Sequence, residues 1–348
     1  VTERLLAIAL VGLAGLAAPG TRAEAQLTRP EPFGFFKPIV FLSDGERARL
    51  DRGEAIVKML PHADRELAIF SAARIGVDGD RLAAWVHQIA DLKRSRHVTA
   101  IRRFSDPPRL SDVADLTLDD ADLEALRRCR PGSCGVKLSE GEMASLGVVA
   151  NAGPDWKRNL QLAFQRVVLA RAQTYITSGH AGSPPYSDLR SPVLLQGEFA
   201  RLLEQSAFLE ARLPELVEPL RRYPHQPPPG IESFLYWSKE NFGGKPIVSI
   251  THVTIVGGEP SEGFDVLVAS KQVFATHYMT GSIALTAIVG GQGSNPRYLA
   301  YLNRSRVDVL GGFFGGLARR IMERRLRTDA VEVVQGLRTR LESGPPPG

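Results

Sequence analysis

The chain has 348 residues, 43% hydrophobic and 23% charged, and a formal net charge of +5. That is ordinary globular composition for one large domain or two smaller ones, and it excludes a collagen-like chain or wholesale disorder. No period of the solenoid kind runs through it.

Glu3 and Arg4 precede an apolar run, Leu5 to Ala18, which Pro19 and Gly20 break. Ala23 to Ala25, "AEA", fits the small-x-small cleavage rule, so residues 1–25 read as a signal peptide and Gln26 as the first mature residue. The run falls short of the ~20 apolar residues a membrane span needs, and no later stretch is long and apolar enough. The expectation is an exported protein, periplasmic or secreted.

Residues 27–40 are rich in Pro and aromatics and read as an extended leader strapped onto the domain. Ser43 and Glu46 form a capping box for a short helix over about 43–52, stopped at Gly53. "EAIVKMLP" and "RELAIFSAARIG" predict two strands joined by the turn "PHAD". Leu82, Trp85, Val86 and Ile89 share one face of a following helix, and 97–106 reads as a third strand. From Pro107 to about Leu220 the pattern is mostly helical. Thr117 is read as the cap of one helix there, and a long amphipathic helix ends at Gly179. Cys129 and Cys134 flank Pro131-Gly132, a turn that favours a structural disulfide in an oxidising compartment. Cys-x-x-Cys redox and haem-attachment spacings are missing, and no His lies near for a metal.

After the Pro-rich stretch 223–230, strands return. "KPIVSITHVTIVG", "FDVLVASKQVFATHYMTGSIALTAIVGG" and "RYLAYLNRSRVDVL" supply four or five, with no helices between them, which argues for an antiparallel meander. A final helix is predicted from about 308 to 342, with a disordered tail over 343–348. It would carry Gly311, Gly312, Gly315 and Gly316 in six residues, although each helical glycine costs about 1 kcal/mol against alanine. The 311/315 and 312/316 pairs would stack on one face, leaving bare backbone for tight packing or for a hollow.

In order, this is α+β: a curved antiparallel sheet, a mostly helical segment, and a long C-terminal helix. The stretches "GEAIVKML", "ELAIFSAARIGVDGDRLAAWVHQIADL", "FDVLVASKQVFATHYM", "IALTAIV" and "YLAYLNRSRVDVLGGFFGGLARRIMERRLR" resemble, in element order and texture, the helix-grip fold of START-like lipid-binding domains. The resemblance covers about 50–105 and 231–342; it implies 26–104 as the first part of the helix-grip domain, 105–230 as a helical insertion and 231–342 as the remainder. It implies a cavity between the sheet and the final helix that takes an apolar small molecule or lipid.

Candidate ligand-binding residues are Tyr236, Trp237, His252, His277, Tyr278, Arg304, Gly312, Phe313, Gly316 and Leu317. Tyr236 and Trp237 suit a cavity mouth or core packing. His252 and His277 would meet across the sheet if their strands are neighbours, as a metal or acid–base pair, as the polar floor of a cavity, or simply as structural histidines. Arg304 is read either as structural or as a partner for a ligand carboxylate or phosphate, and Asp308 as a helix cap paired with an arginine. Basic runs such as Arg319–Arg327 suit solvated helix faces or transient contact with an anionic membrane surface. Nucleic acid is not an expected partner outside the cytoplasm. Gly-x-Ser-x-Gly, His-Glu-x-x-His, P-loop and dinucleotide motifs are missing, so no cofactor and no reaction is indicated. Three readings stay open: a carrier of an apolar ligand, a cyclase- or hydrolase-like enzyme using the same pocket, and an envelope interaction protein.

Overall fold

The computed structural model describes residues 31–224, 229–241, 244–258, 262–291, 296–311 and 315–346. The expected signal peptide lies outside the described residues.

The capping box of Ser43 and Glu46 opens α1 (Asp44–Asp51), with both reciprocal bonds made. Strands β1 (Ile56–Met59) and β2 (Glu66–Ile75) follow, then helices α2 (Gly79–His87) and α3 (Ile89–Leu92), and β3 (Val98–Arg103). Helices α4 (Asp120–Arg127), α5 (Glu140–Ala150), α6 (Trp156–Gly182), α7 (Leu195–Glu204), α8 (Ala207–Arg212) and α9 (Pro214–Arg222) fill the middle of the chain. Strands β4 (Ile231–Glu240), β5 (Ile247–Gly257), β6 (Phe264–Ala275), β7 (Met279–Gly290) and β8 (Arg297–Val307) lead to the long helix α10 (Gly315–Glu342). The fold is α+β, with one eight-stranded sheet in the order β1-β2-β8-β7-β6-β5-β4-β3, antiparallel throughout.

Strand alternation sends each strand's side chains to two different layers. Phe70, Leu302, Leu285, Leu267, Leu235 and Trp237 point into one face, covered by the aromatic leader Phe33–Phe36 and by helices α4–α9. There Phe33, Phe35, Phe36, Phe70, Phe208 and Phe264 form edge-on contacts that fill the space the short leader leaves. Helix α7 sits close on β7 because Gly281 has no side chain: a Cβ there would press on Leu202 at 3.3 Å. Phe234, Val253, Ile255, Val268, Ile288 and Leu299 point to the other face, where Leu82, Trp85 and Val86 of α2 and Val334 and Leu341 of α10 cover them.

Several sequence expectations change. The cap of α4 is Asp119, not Thr117, because the helix begins only at Asp120. The long middle helix does break at Gly179 as expected, where the backbone takes φ 59 and ψ −157, and a short further helical turn runs on to Gly182. The final helix does not carry four glycines. Asp308–Gly311 is a 3-10 turn, α10 starts at Gly315, and Gly312 lies outside the described residues. Gly311 and Gly315 share no helix on which to stack, and the 312/316 pair lies partly outside the described residues. Asp308 pairs with the buried Lys137 at 2.6 Å rather than with an arginine. In the tail, the Gly344 carbonyl accepts a hydrogen bond from the Trp85 indole. Cys129 and Cys134 form the expected disulfide at a 4.4 Å Cα separation, around a turn in which Gly132 takes φ 78.

Candidate ligand groove and the buried polar clusters

Of the glycines that suggested a hollow, Gly311, Gly315 and Gly316 do not line one, and Gly312 lies outside the described residues. A Cβ on Gly311 would strike the Arg65 side chain, one on Gly315 the Leu310 carbonyl, and one on Gly316 nothing within 4 Å. Gly316 faces open space, and Leu317 beside it is 59% exposed. Phe313 lies outside the described residues.

A different part of the same layer is open. Along α10, Ala318, Met322, Leu326 and Ala330 repeat every four residues and lead to the buried Val334, so they share one stripe. All four are half-buried, with Ala318, Met322 and Leu326 packed against the cluster of Leu67, Val307 and Leu310. On that face of the sheet, Ser282, Ala284 and Thr286 of β7, Tyr301 and Asn303 of β8, Ser270 of β6 and Ser249 and Thr251 of β5 are half-exposed too. Their neighbours Ile283, Leu285 and Leu302, on the opposite face, are sealed. The register places Asn303, Ala284 and Ser270 in one row across three strands, and Tyr301 beside Thr286. Small polar side chains thus line the α10 side of the sheet, half-buried, and this face is the candidate groove.

The groove has a polar end. Lys93, at the end of α3, donates to Glu240 at 2.6 Å and to the Tyr236 hydroxyl at 3.1 Å. Ser238 also donates to Glu240, at 2.8 Å. Burial by itself would pull Lys93 down, but Glu240 and Tyr236 outweigh it and hold the ammonium well above its ordinary range. Burial would push Glu240 up, and Lys93 overrides it, so the carboxylate is held low. Tyr301 stands four strands from Tyr236 in the sheet order; burial pushes its phenol up to about 12, with smaller influences from Lys93, Glu240 and Tyr236, and its hydroxyl bonds the Asn303 side chain. Ser282, Asn303 and Ser305 bond to one another on the floor. The alternation also turns Ser71 and Gln272 to this side, and Ser71 Oγ and Gln272 Nε2 are buried without a hydrogen-bond partner.

No family profile, curated protein or solved structure matches this chain.

The remaining candidate residues sit elsewhere. Tyr236 alone of them lies in the groove. Trp237, one residue on, faces the helical layer, fully buried, and donates to the Asp112 carbonyl at 2.7 Å. His252 and His277 do not meet, because β5 places His252 opposite Lys271 while His277 falls in the β6–β7 turn. His277 bonds Asp122 at 2.9 Å, and Lys245 lies 3.7 Å from the same carboxylate. Tyr278 takes φ 61 and its hydroxyl accepts from the Lys245 backbone N–H at 2.9 Å. Arg304, 1% exposed, pairs with Glu66 on the face away from α10, so its charge is met within the chain. Among the described residues no group of three or more His, Cys, Asp or Glu is set to hold a metal. No described helix is long and apolar enough to cross a membrane.

On the helical-layer side, Lys271 is sealed among aromatics. It donates to the Leu220 carbonyl near the end of α9 at 2.6 Å, and lies 4.2 Å from the Phe199 ring centre and 5.3 Å from that of Tyr175. The Tyr175 hydroxyl meets His252 Nδ1 at 3.0 Å. Burial pulls Lys271 down to about 7, and burial together with Lys271 pulls His252 down to about 3. His180 is lowered for the same reasons, burial first and then Lys271 and His252. A helix-end carbonyl suits a cation, so a capping role accounts for Lys271.

These groups fix the sign of a pH dependence. The unfolded chain binds more protons than the folded one between about 3 and 6.5 through His252, and between about 7 and 10.5 through Lys271. Stability therefore rises with pH across both windows. Urea midpoints are expected to fall as pH drops from 6.5 to 4, and His252→Leu is expected to flatten that slope. A wild-type midpoint that is constant or higher at pH 4 contradicts the assignment.

Proposed function

We propose that the protein binds a small amphiphilic molecule in the groove between the sheet and α10, as a carrier or binding protein rather than through an identified reaction. The observation that carries this is the matched half-exposure of the α10 stripe and of the sheet opposite it, where a helix packed flush on a sheet would bury both.

The element order supports the same reading. A strand, two short helices, a strand, five antiparallel strands and a long final helix, with the first strand beside the last, is the arrangement expected of a helix-grip, START-like domain. On that reading β1 is an added edge strand, and residues 105–230 are an insertion that covers the convex side. Tyr301 and Tyr236 stand four strands apart, roughly 19 Å in a flat sheet, yet Lys93 bonds Tyr236 and also influences Tyr301, which fits a sheet curled toward α10. The floor is polar at one end, so the ligand is better described as amphiphilic than as purely apolar. Export to an oxidising compartment is part of the proposal, supported by the Cys129–Cys134 bridge.

Filling the groove tests it. Ala284→Trp places an indole on the floor, beside Asn303 and Ser270. In equilibrium dialysis against a labelled long-chain monoacylglycerol, binding is expected to fall by more than about tenfold, a loss on the order of 1.4 kcal/mol, while the urea midpoint changes little. Unchanged binding in the tryptophan variant would remove the groove as the site.

A further inference from the structure

Resting on the groove reading, we infer that the ligand's head group is uncharged and carries a hydroxyl or carbonyl oxygen, recognised at the end formed by Lys93, Glu240, Tyr236 and Tyr301. The charges at that end are already matched. Lys93 and Glu240 stand 2.6 Å apart, each the other's partner. A carboxylate or phosphate head would meet Glu240 wherever it approached Lys93. An ammonium head would meet Lys93 wherever it approached Glu240. A like charge brought beside a partly buried ion pair is opposed by the charge it resembles and must shed its own water.

What the groove side still offers is uncharged. The Tyr301 hydroxyl stays protonated through the neutral range. Gln272 Nε2, on a side chain 6% exposed, has two hydrogens and no partner. A buried donor left unmet costs about 1–3 kcal/mol, so an oxygen acceptor that meets these groups binds with that penalty relieved. These partners select an alcohol, ester or amide head over an ionised one.

The test compares three probes that share one dodecyl-length chain: monolauroylglycerol, laurate and laurylamine, each below its micelle concentration, with the protein. Monolauroylglycerol is expected to bind at least about tenfold more tightly than either charged probe. Tyr301→Phe is expected to weaken monolauroylglycerol several-fold and leave the charged probes where they were. Glu240→Gln leaves Lys93 without its partner and is expected to move the ranking about tenfold toward laurate. A wild-type protein that prefers laurate or laurylamine overturns this inference and leaves the groove as the site. An unchanged ranking in Glu240→Gln overturns it as well. Binding of none of the three overturns the groove reading itself, and the head-group inference with it.

Discussion

Gly179→Ala is expected to destabilise the protein by about 3 kcal/mol or more. Two independent costs combine. The backbone at φ 59 and ψ −157 lies in a region that is essentially restricted to glycine, at about 1–3 kcal/mol for any other residue. A Cβ at that point would also fall 1.8 Å from the Tyr223 carbonyl oxygen, so backbone rather than a side-chain tip must move. Overpacking of that kind adds about 1–3 kcal/mol. The damage should spread to the polar cluster, because Tyr223 stacks on Tyr175 with ring centres 4.8 Å apart and lies against His252 at 4.5 Å. Urea unfolding is the measurement, and a loss below about 1 kcal/mol would show that α6 does not need its kink.

The second large effect is expected at the Glu66–Arg304 pair. Both side chains are about 1% exposed, and Arg304 also donates to the Pro61 carbonyl at 3.1 Å. Glu66 Oε2 and Arg304 Nε have no partner, so the pair is incompletely satisfied. Removing one member leaves a buried charge alone, which costs about 3–5 kcal/mol, whereas replacing both with apolar residues of similar volume is often neutral. Arg304→Met is therefore expected to unfold readily, and Glu66→Leu with Arg304→Met to recover most of the loss. A double variant as unstable as the single one would mean that this pair specifies the β2–β8 register. Preserved ligand binding in a folded double variant is also expected, since the pair faces away from α10.

Local signals in the sequence were dependable where short-range chemistry decides the outcome. Ser43 with Glu46 starts a helix by capping its own first turn, and the Cys129–Cys134 turn closes over Pro131-Gly132. Thr117 was misplaced because Asp119 competes for the same role two residues on. The glycine argument failed because it assumed one continuous helix through Gly311 and Gly315, and a 3-10 turn interrupts the chain there.

The groove was half-legible. Ser282, Ala284 and Thr286 alternate with Ile283, Leu285 and Ala287, a period-2 pattern that marks one polar and one apolar face. Its meaning depends on what covers the polar face, and α10 arrives from the far end of the chain. Tyr301 and Lys93 are more than two hundred residues apart in sequence, and only the sheet order brings them together. The same holds for His252: strand pairing gives it Lys271 as a neighbour rather than His277. Tyr236 and Trp237 show the rule at its simplest, since adjacent residues on a strand go to opposite faces and only the first reaches the groove.

Photolabelling tests the groove most directly. A monoacylglycerol with a diazirine in its chain, bound to the protein, irradiated and mapped by peptide mass spectrometry, is expected to label β7 and β8 around Ala284 and Tyr301 and the α10 stripe at Met322 and Leu326. Label confined to the exposed Leu317 and Ile321, or spread evenly over the surface, would contradict a binding groove between the sheet and α10.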